Sequence, residues 1–124
     1  MRNDLEVKEI FSIVSGLYSK AIAEIKLRPE QAFAYVQDEA SPLCPSDNIA
    51  LSVVLQTAIF KDGMSYGVEL SRESPYAEDM LADLSKLYDE CSIDDLIEIG
   101  LRDGELAEFI DLMNVIKKKY LSLA

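Results

Sequence analysis

Apolar residues recur at helical spacing through most of this chain. In the first quarter they lie three or four positions apart over Val7–Ile25, which places them on one side of a helix. Asn3 is a candidate cap for this helix, and the proline at Pro29 ends it, because the residue before a proline avoids helical geometry. A second helix is predicted from Pro29 to Ala40.

The same spacing returns in the second half of the chain and predicts three more helices. Serine followed by proline at Ser74 suits the start of the first, Ser92 can cap the second, and Asp103 can cap the third. Gly100 is a natural end for the short second helix. That helix is expected to bury its three apolar residues, Ile93, Leu96 and Ile97.

The stretch between these halves has two interpretations. Residues 46–60 fit a helix capped by Ser46, but the β-branched pair Val53 and Val54 also fits a strand. Residues 64–71 then alternate strictly between apolar and polar, which is typical of an extended segment. We expect a helix over 46–60, and the alternative is one hairpin over 51–70.

The predicted fold class is therefore all-α. We expect a compact antiparallel bundle of about six helices, with a short extended segment at 64–71, in a single domain spanning 1–124. The alternative fold is α+β, built around the hairpin at 51–70. A lone hairpin is marginal in water unless helices pack against it, which favours the bundle.

Negative charge is concentrated in one half of the chain. The formal net charge is −11, and from Asp62 to Asp111 fifteen acidic residues stand against three basic ones. Such a field repels phosphates and anionic lipids, so neither nucleic acid nor a membrane surface is an expected partner. With no secretory signal recognised and only two cysteines, we expect a cytoplasmic protein with reduced thiols.

Side chains suited to catalysis are scarce. Histidine is absent, which removes the commonest general base and the commonest metal ligand. No glycine-rich phosphate loop appears, and the acids of residues 89–98 lack the glycine and the ligand spacing of a calcium-binding loop. A solvated acidic helix face explains them better. We therefore expect no enzymatic activity, no metal and no cofactor.

Two tyrosines that stand among acids are the best candidates for a binding site. A tyrosine buries a large rigid surface and keeps a polar tip, as the dominant residues of protein interfaces often do. Acids around it would add electrostatic complementarity to a basic partner. The predicted partner-binding residues are Tyr66, Glu69, Glu73, Tyr76, Glu78, Asp79 and Asp83.

These properties favour a small acidic cytoplasmic protein that binds and neutralises a basic protein. In size, charge and helical content the chain is similar to bacterial immunity proteins and antitoxins. That likeness rests on bulk properties alone, and it implies a nuclease toxin as the partner, blocked at its active or substrate-binding surface. Carboxylates would replace the substrate phosphates, and opposite charge would accelerate association.

Two other functions stay open. A secretion chaperone or adaptor would bind an extended segment, and the apolar edge at Met64–Leu70 is where such a strand would add. A self-associating structural or regulatory bundle would form a homodimer through the first helix, which carries apolar residues at coiled-coil-like spacing. Those residues are Val7, Ile10, Val14, Leu17 and Ala21.

Overall fold

The computed structural model describes residues 6–43, 48–68 and 77–121, and within these ranges it contains six α-helices and no strand. In chain order they are α1 (Val7–Ser19), α2 (Pro29–Ala40), α3 (Ile49–Ser65), α4 (Ala77–Glu90), α5 (Ile93–Glu98) and α6 (Asp103–Ile116). Further helical turns extend α1 (Lys20–Glu24), α2 (Ser41–Leu43) and α6 (Lys117–Leu121). None of the described helices is both long and apolar enough to cross a membrane. The predicted all-α bundle of about six helices is confirmed.

Helix α3 lies at the centre of the bundle and contacts α1, α2, α4, α5 and α6. Ten of its 17 residues are buried. At helical spacing these ten positions surround the whole circumference instead of forming one stripe, which is the pattern of an enclosed helix. The alternative hairpin over 51–70 is therefore wrong over 51–65, because that stretch is one continuous buried helix.

The two ends of α3 differ from their predicted positions. Asn48 is the cap, and its side-chain oxygen accepts the N–H of Leu51 at 3.1 Å. The helix continues five residues beyond Phe60 and is followed by a turn in which Gly67 has a φ of 82°. The predicted extended segment at 64–71 thus begins inside a helix. Its last residues, 69–71, and the predicted cap Ser46 lie outside the described residues.

The short helix α5 begins with the capping box that the sequence predicts. The Ser92 hydroxyl accepts the N–H of Asp95 at 3.1 Å, and the Asp95 carboxylate accepts the N–H of Ser92 at 3.0 Å. The hydrogen bond from the Ser92 backbone N–H, followed by the interaction of the carboxylate with the Ser92 side chain, holds the pKa of Asp95 below its usual value. The end of α5 at Gly100, with a φ of 108°, also agrees with the prediction.

The predicted inward face of α5 is only partly correct. Leu96 is buried, but Ile93 is 56% exposed and Ile97 is 43% exposed. A helix of six residues lying on the surface of the core buries only one narrow side. Leu96, together with Leu101 just after the helix, supplies the buried contact, and the other two apolar residues face outward.

Two buried hydrogen bonds fasten α3 to its neighbours. The Tyr18 hydroxyl of α1 donates to the Ile59 carbonyl oxygen at 2.8 Å. The Thr57 and Tyr88 hydroxyls lie 2.8 Å apart and join α3 to α4. Burial raises the pKa of Tyr88 to about 12, so this hydroxyl stays protonated at physiological pH. Each bond satisfies polar groups that would otherwise be costly to bury.

Replacing Gly63 of α3 with alanine is expected to destabilise the protein by about 1–2 kcal/mol, because the added Cβ crowds an already packed site. That atom would lie 3.1 Å from the Tyr18 hydroxyl oxygen and 3.4 Å from a ring carbon of Phe33. The Tyr18 hydroxyl is held on Ile59 and cannot retreat without loss of its hydrogen bond. Urea unfolding measures the change.

The matched control is Gly16→Ala on α1, where the added Cβ would meet no atom within 4 Å. Since alanine favours the helix over glycine, this variant is expected to gain about 0.5–1 kcal/mol. Equal stabilisation by Gly63→Ala and Gly16→Ala would mean that Tyr18 is not held tightly against α3.

Candidate functional site

Acidic side chains outnumber basic ones on the exposed side of α4. Glu78, Asp79 and Asp83, three of the predicted partner-binding residues, are all exposed. Consecutive helical residues are rotated by about 100°, so Asp79 and Asp83 share a side while Glu78 is turned away from them. Glu90, seven residues after Asp83, returns to the side of Asp79 and Asp83 and is also exposed. We call Asp79, Asp83 and Glu90 the acidic edge of α4, and the exposed Lys86 lies among them on the same side.

A groove of about 450 Å³ opens between α2, α3 and α4 beside this edge. Asp83, Lys86 and Glu90 are its charged lining residues, so carboxylates outnumber cations at its rim. The apolar part of the lining comes from Ile49, Leu55, Met80, Leu84 and Leu87. Such a lining can hold the methylene stem of a long side chain while the rim carboxylates bind its charged end.

The polar part of the groove includes a pair of glutamines. The Gln37 amide donates to the Gln56 carbonyl oxygen at 2.8 Å, and the Gln56 amide donates back at 3.1 Å. This exchange fixes both side chains and joins α2 to α3. Each amide carries a second N–H and a further acceptor position, so the pair can still bond to a group that enters the groove.

Tyr66 lies apart from the groove. It follows α3 by one residue and stands about 15 Å along the helix axis from Gln56, the last α3 residue of the groove lining. Its ring stacks on Tyr18, with the centroids 5.4 Å apart and the planes inclined by 22°, and it is 38% exposed. The other predicted site residues, Glu69, Glu73 and Tyr76, lie outside the described residues.

Asp62, in the last turn of α3, has a carboxylate oxygen without a hydrogen-bond partner among the described residues. This atom, Oδ2, is buried. Burial raises the pKa of Asp62, and the neighbouring charge of Lys61 opposes that rise. The pKa of Tyr18 is also raised, first by its own burial and then by the charge of Asp62. An ionised Asp62 is thus a cost to the fold.

The described residues hold no group of three or more histidine, cysteine, aspartate or glutamate side chains placed to bind a metal ion. Asp95, one of the clustered acids of residues 89–98, is engaged in its capping box. Cys91 is half-buried, and its pKa is raised by burial and by the charge of Asp95, which disfavours the reactive thiolate. Cys44 lies outside the described residues.

Two parts of this site are absent from the sequence prediction. Glu90 could have been found, because its spacing from Asp83 places it on the same side of a helix. The groove could not, because it arises from how α2 and α4 pack against α3. No local pattern of residues encodes that packing.

Comparison of the chain with protein-family models, with curated proteins and with solved structures finds no match. We therefore infer function from the acidic edge, the groove and the charge of the chain.

Asp62→Asn is expected to change how stability depends on pH. A folded-state pKa raised above the unfolded value means that the folded protein binds the proton more tightly, so wild-type stability falls as pH rises above 3.8. The asparagine variant lacks this ionisation. Its stability relative to wild type should therefore grow from about pH 3.5 upward and level off above the folded-state pKa, as measured by urea unfolding.

The variant Lys61→Met keeps the ionisation of Asp62 and is expected to raise its pKa further. Removal of this cation takes away the influence that lowers the Asp62 pKa, so the fall in stability should extend to higher pH. A constant difference in stability between Asp62→Asn and wild type across the whole pH range would contradict a raised folded-state pKa for Asp62.

Proposed function

We propose that this protein binds and neutralises a basic protein, in the manner of an immunity protein or antitoxin directed against a nuclease. The contact surface is the acidic edge of α4 with the adjoining groove. The observation that supports this is the presence of exposed carboxylates along the rim of an open groove, in a chain with a net charge of −11.

The chemistry of a nuclease surface explains the fit. Such a surface binds phosphates through lysine and arginine, and carboxylates present the same charge to those side chains. At the groove, the stem of a lysine or arginine would lie against Leu87 and Met80 while its head group reaches Asp83 or Glu90. Opposite charges would also accelerate the encounter, and salt would slow it.

The two alternative functions have less structural support. The stripe expected to form a homodimer is used inside the chain, since Ile10, Val14 and Ala21 are buried in its core and Val7 and Leu17 pack against that core. The edge expected to accept a strand from a chaperone client begins in α3 and a turn, so residues 64–67 offer no strand edge. By contrast, the surface proposed to bind a basic protein is exposed.

The variant Asp83→Asn/Glu90→Gln is expected to bind the basic partner at least about tenfold more weakly, which corresponds to about 1.4 kcal/mol. It removes two carboxylates from the groove and keeps the size of both side chains. The partner is captured from lysate of the native cell on immobilised protein, released by a salt step and identified by mass spectrometry. Its affinity is then measured by calorimetry, and its nuclease activity is assayed with and without this protein.

The matched control is Glu108→Gln/Asp111→Asn, which removes one glutamate and one aspartate from exposed positions of α6. It changes the net charge equally and should alter the affinity less than about threefold, since exposed pairs away from the interface contribute little. Equal weakening by both variants would show a general charge effect and overturn the proposed site. Failure to capture any basic protein, or capture without inhibition, would overturn the proposed function.

A further inference from the structure

We infer that α5 presents a second contact surface, which binds a basic amphipathic segment of the partner through Ile93 and Ile97. The inference rests on the proposed function for the basic nature of that partner. It concerns a different helix from the acidic edge, so it can be tested separately.

The first observation is the outward position of two large apolar side chains on one short helix. Ile93 and Ile97 are 56% and 43% exposed, and four residues separate them, so they stand on the same side of α5. Hydrophobic side chains that stay in water at adjacent helical positions offer favourable burial to a partner. Their burial would contribute affinity that charge alone does not give.

The second observation is that α5 is held firmly in place. Its first turn is closed by the Ser92 capping box, and Leu96 anchors its inner side in the core. Beyond its end, the Leu101 N–H donates to the Leu96 carbonyl oxygen at 3.1 Å. A surface that is already ordered loses little conformational entropy when a partner binds.

The third observation is the sign of the charge on α5 and on the residues just before it, which selects the occupant. Every charged residue from Asp89 to Ile99 is acidic, and Asp94 and Glu98 follow the two isoleucines directly and are exposed. A second copy of this chain would bring like charges together on this face, which disfavours self-association. A segment with leucine-like residues flanked by lysine or arginine would pack against the two isoleucines and form ion pairs with the acids.

Fluorescence anisotropy with three synthetic helical peptides of about fifteen residues tests the inference. The first has a leucine stripe flanked by lysines, the second replaces the leucines with serine, and the third replaces the lysines with glutamate. The first peptide is expected to bind the wild-type protein. The second and third are each expected to bind at least about tenfold more weakly.

The decisive variant is Ile93→Ser/Ile97→Ser, which should weaken binding of the first peptide at least about tenfold. Its control is Val115→Ser on α6, a side chain that is 51% exposed and should leave binding unchanged. Circular dichroism confirms that both variants stay folded. If wild type does not bind the first peptide, or if it binds the second or third peptide as tightly, the inference is overturned. Unchanged binding in the isoleucine variant would also overturn it.

The variant Asp83→Asn/Glu90→Gln separates this inference from the proposed function. It should bind the first peptide as wild type does, because the α5 surface is intact. If the peptide instead depends on Asp83 and Glu90, it occupies the groove, and the α5 inference fails while the acidic edge gains support. If the α4 variant leaves capture of the whole partner unchanged but the peptide still requires Ile93 and Ile97, the proposed site fails and the α5 surface stands.

Discussion

The apolar circumference of α3 is the constraint on which the rest of the structure depends. A helix with buried positions on every side is stable in water only when other elements cover all of them. Five helices do so here. The polar groups inside this cover are few, and Thr57 and the Tyr18 hydroxyl each have a hydrogen-bond partner. Enclosure of α3 thus decides which side each neighbouring helix turns toward the core.

The enclosure of α3 also determines where the charged side chains lie. Carboxylates are costly to bury without partners, so a strongly acidic chain with an apolar centre places them on the outer sides of its peripheral helices. Asp62 is an exception, because one of its carboxylate oxygens is buried without a hydrogen-bond partner among the described residues. Its raised pKa reflects the cost of burying that charge. On α4 the rule yields an acidic edge beside a groove, and on α5 it yields acids around two exposed isoleucines. Both candidate surfaces follow from the same separation of apolar and charged residues.

The sequence predicts the positions of the helices better than it predicts which of their side chains are exposed. Capping signals at Ser92 and Gly100 are local, and the structure confirms them. The stretch 46–71 is ambiguous in sequence because its β-branched pair and its alternating segment also fit strands, and because a fully enclosed helix lacks the single stripe that identifies most helices. Periodicity shows that Ile93 and Ile97 share a side of the helix but not what that side faces, which is why it wrongly predicts that both are buried. Nearness in sequence groups Tyr66 with the acids of α4, whereas its position after the end of α3 places it away from the groove.

Thr57 and Tyr88 fasten α4 to the core from its inner side, while Asp83 and Glu90 lie exposed on its outer side. Exposed substitutions of that kind change folding stability by about 0.5 kcal/mol or less. Under the proposed function, the residues that select a partner are therefore separate from the residues that stabilise the fold. A lineage of such proteins could exchange one target for another by surface substitutions alone, without passing through unstable intermediates.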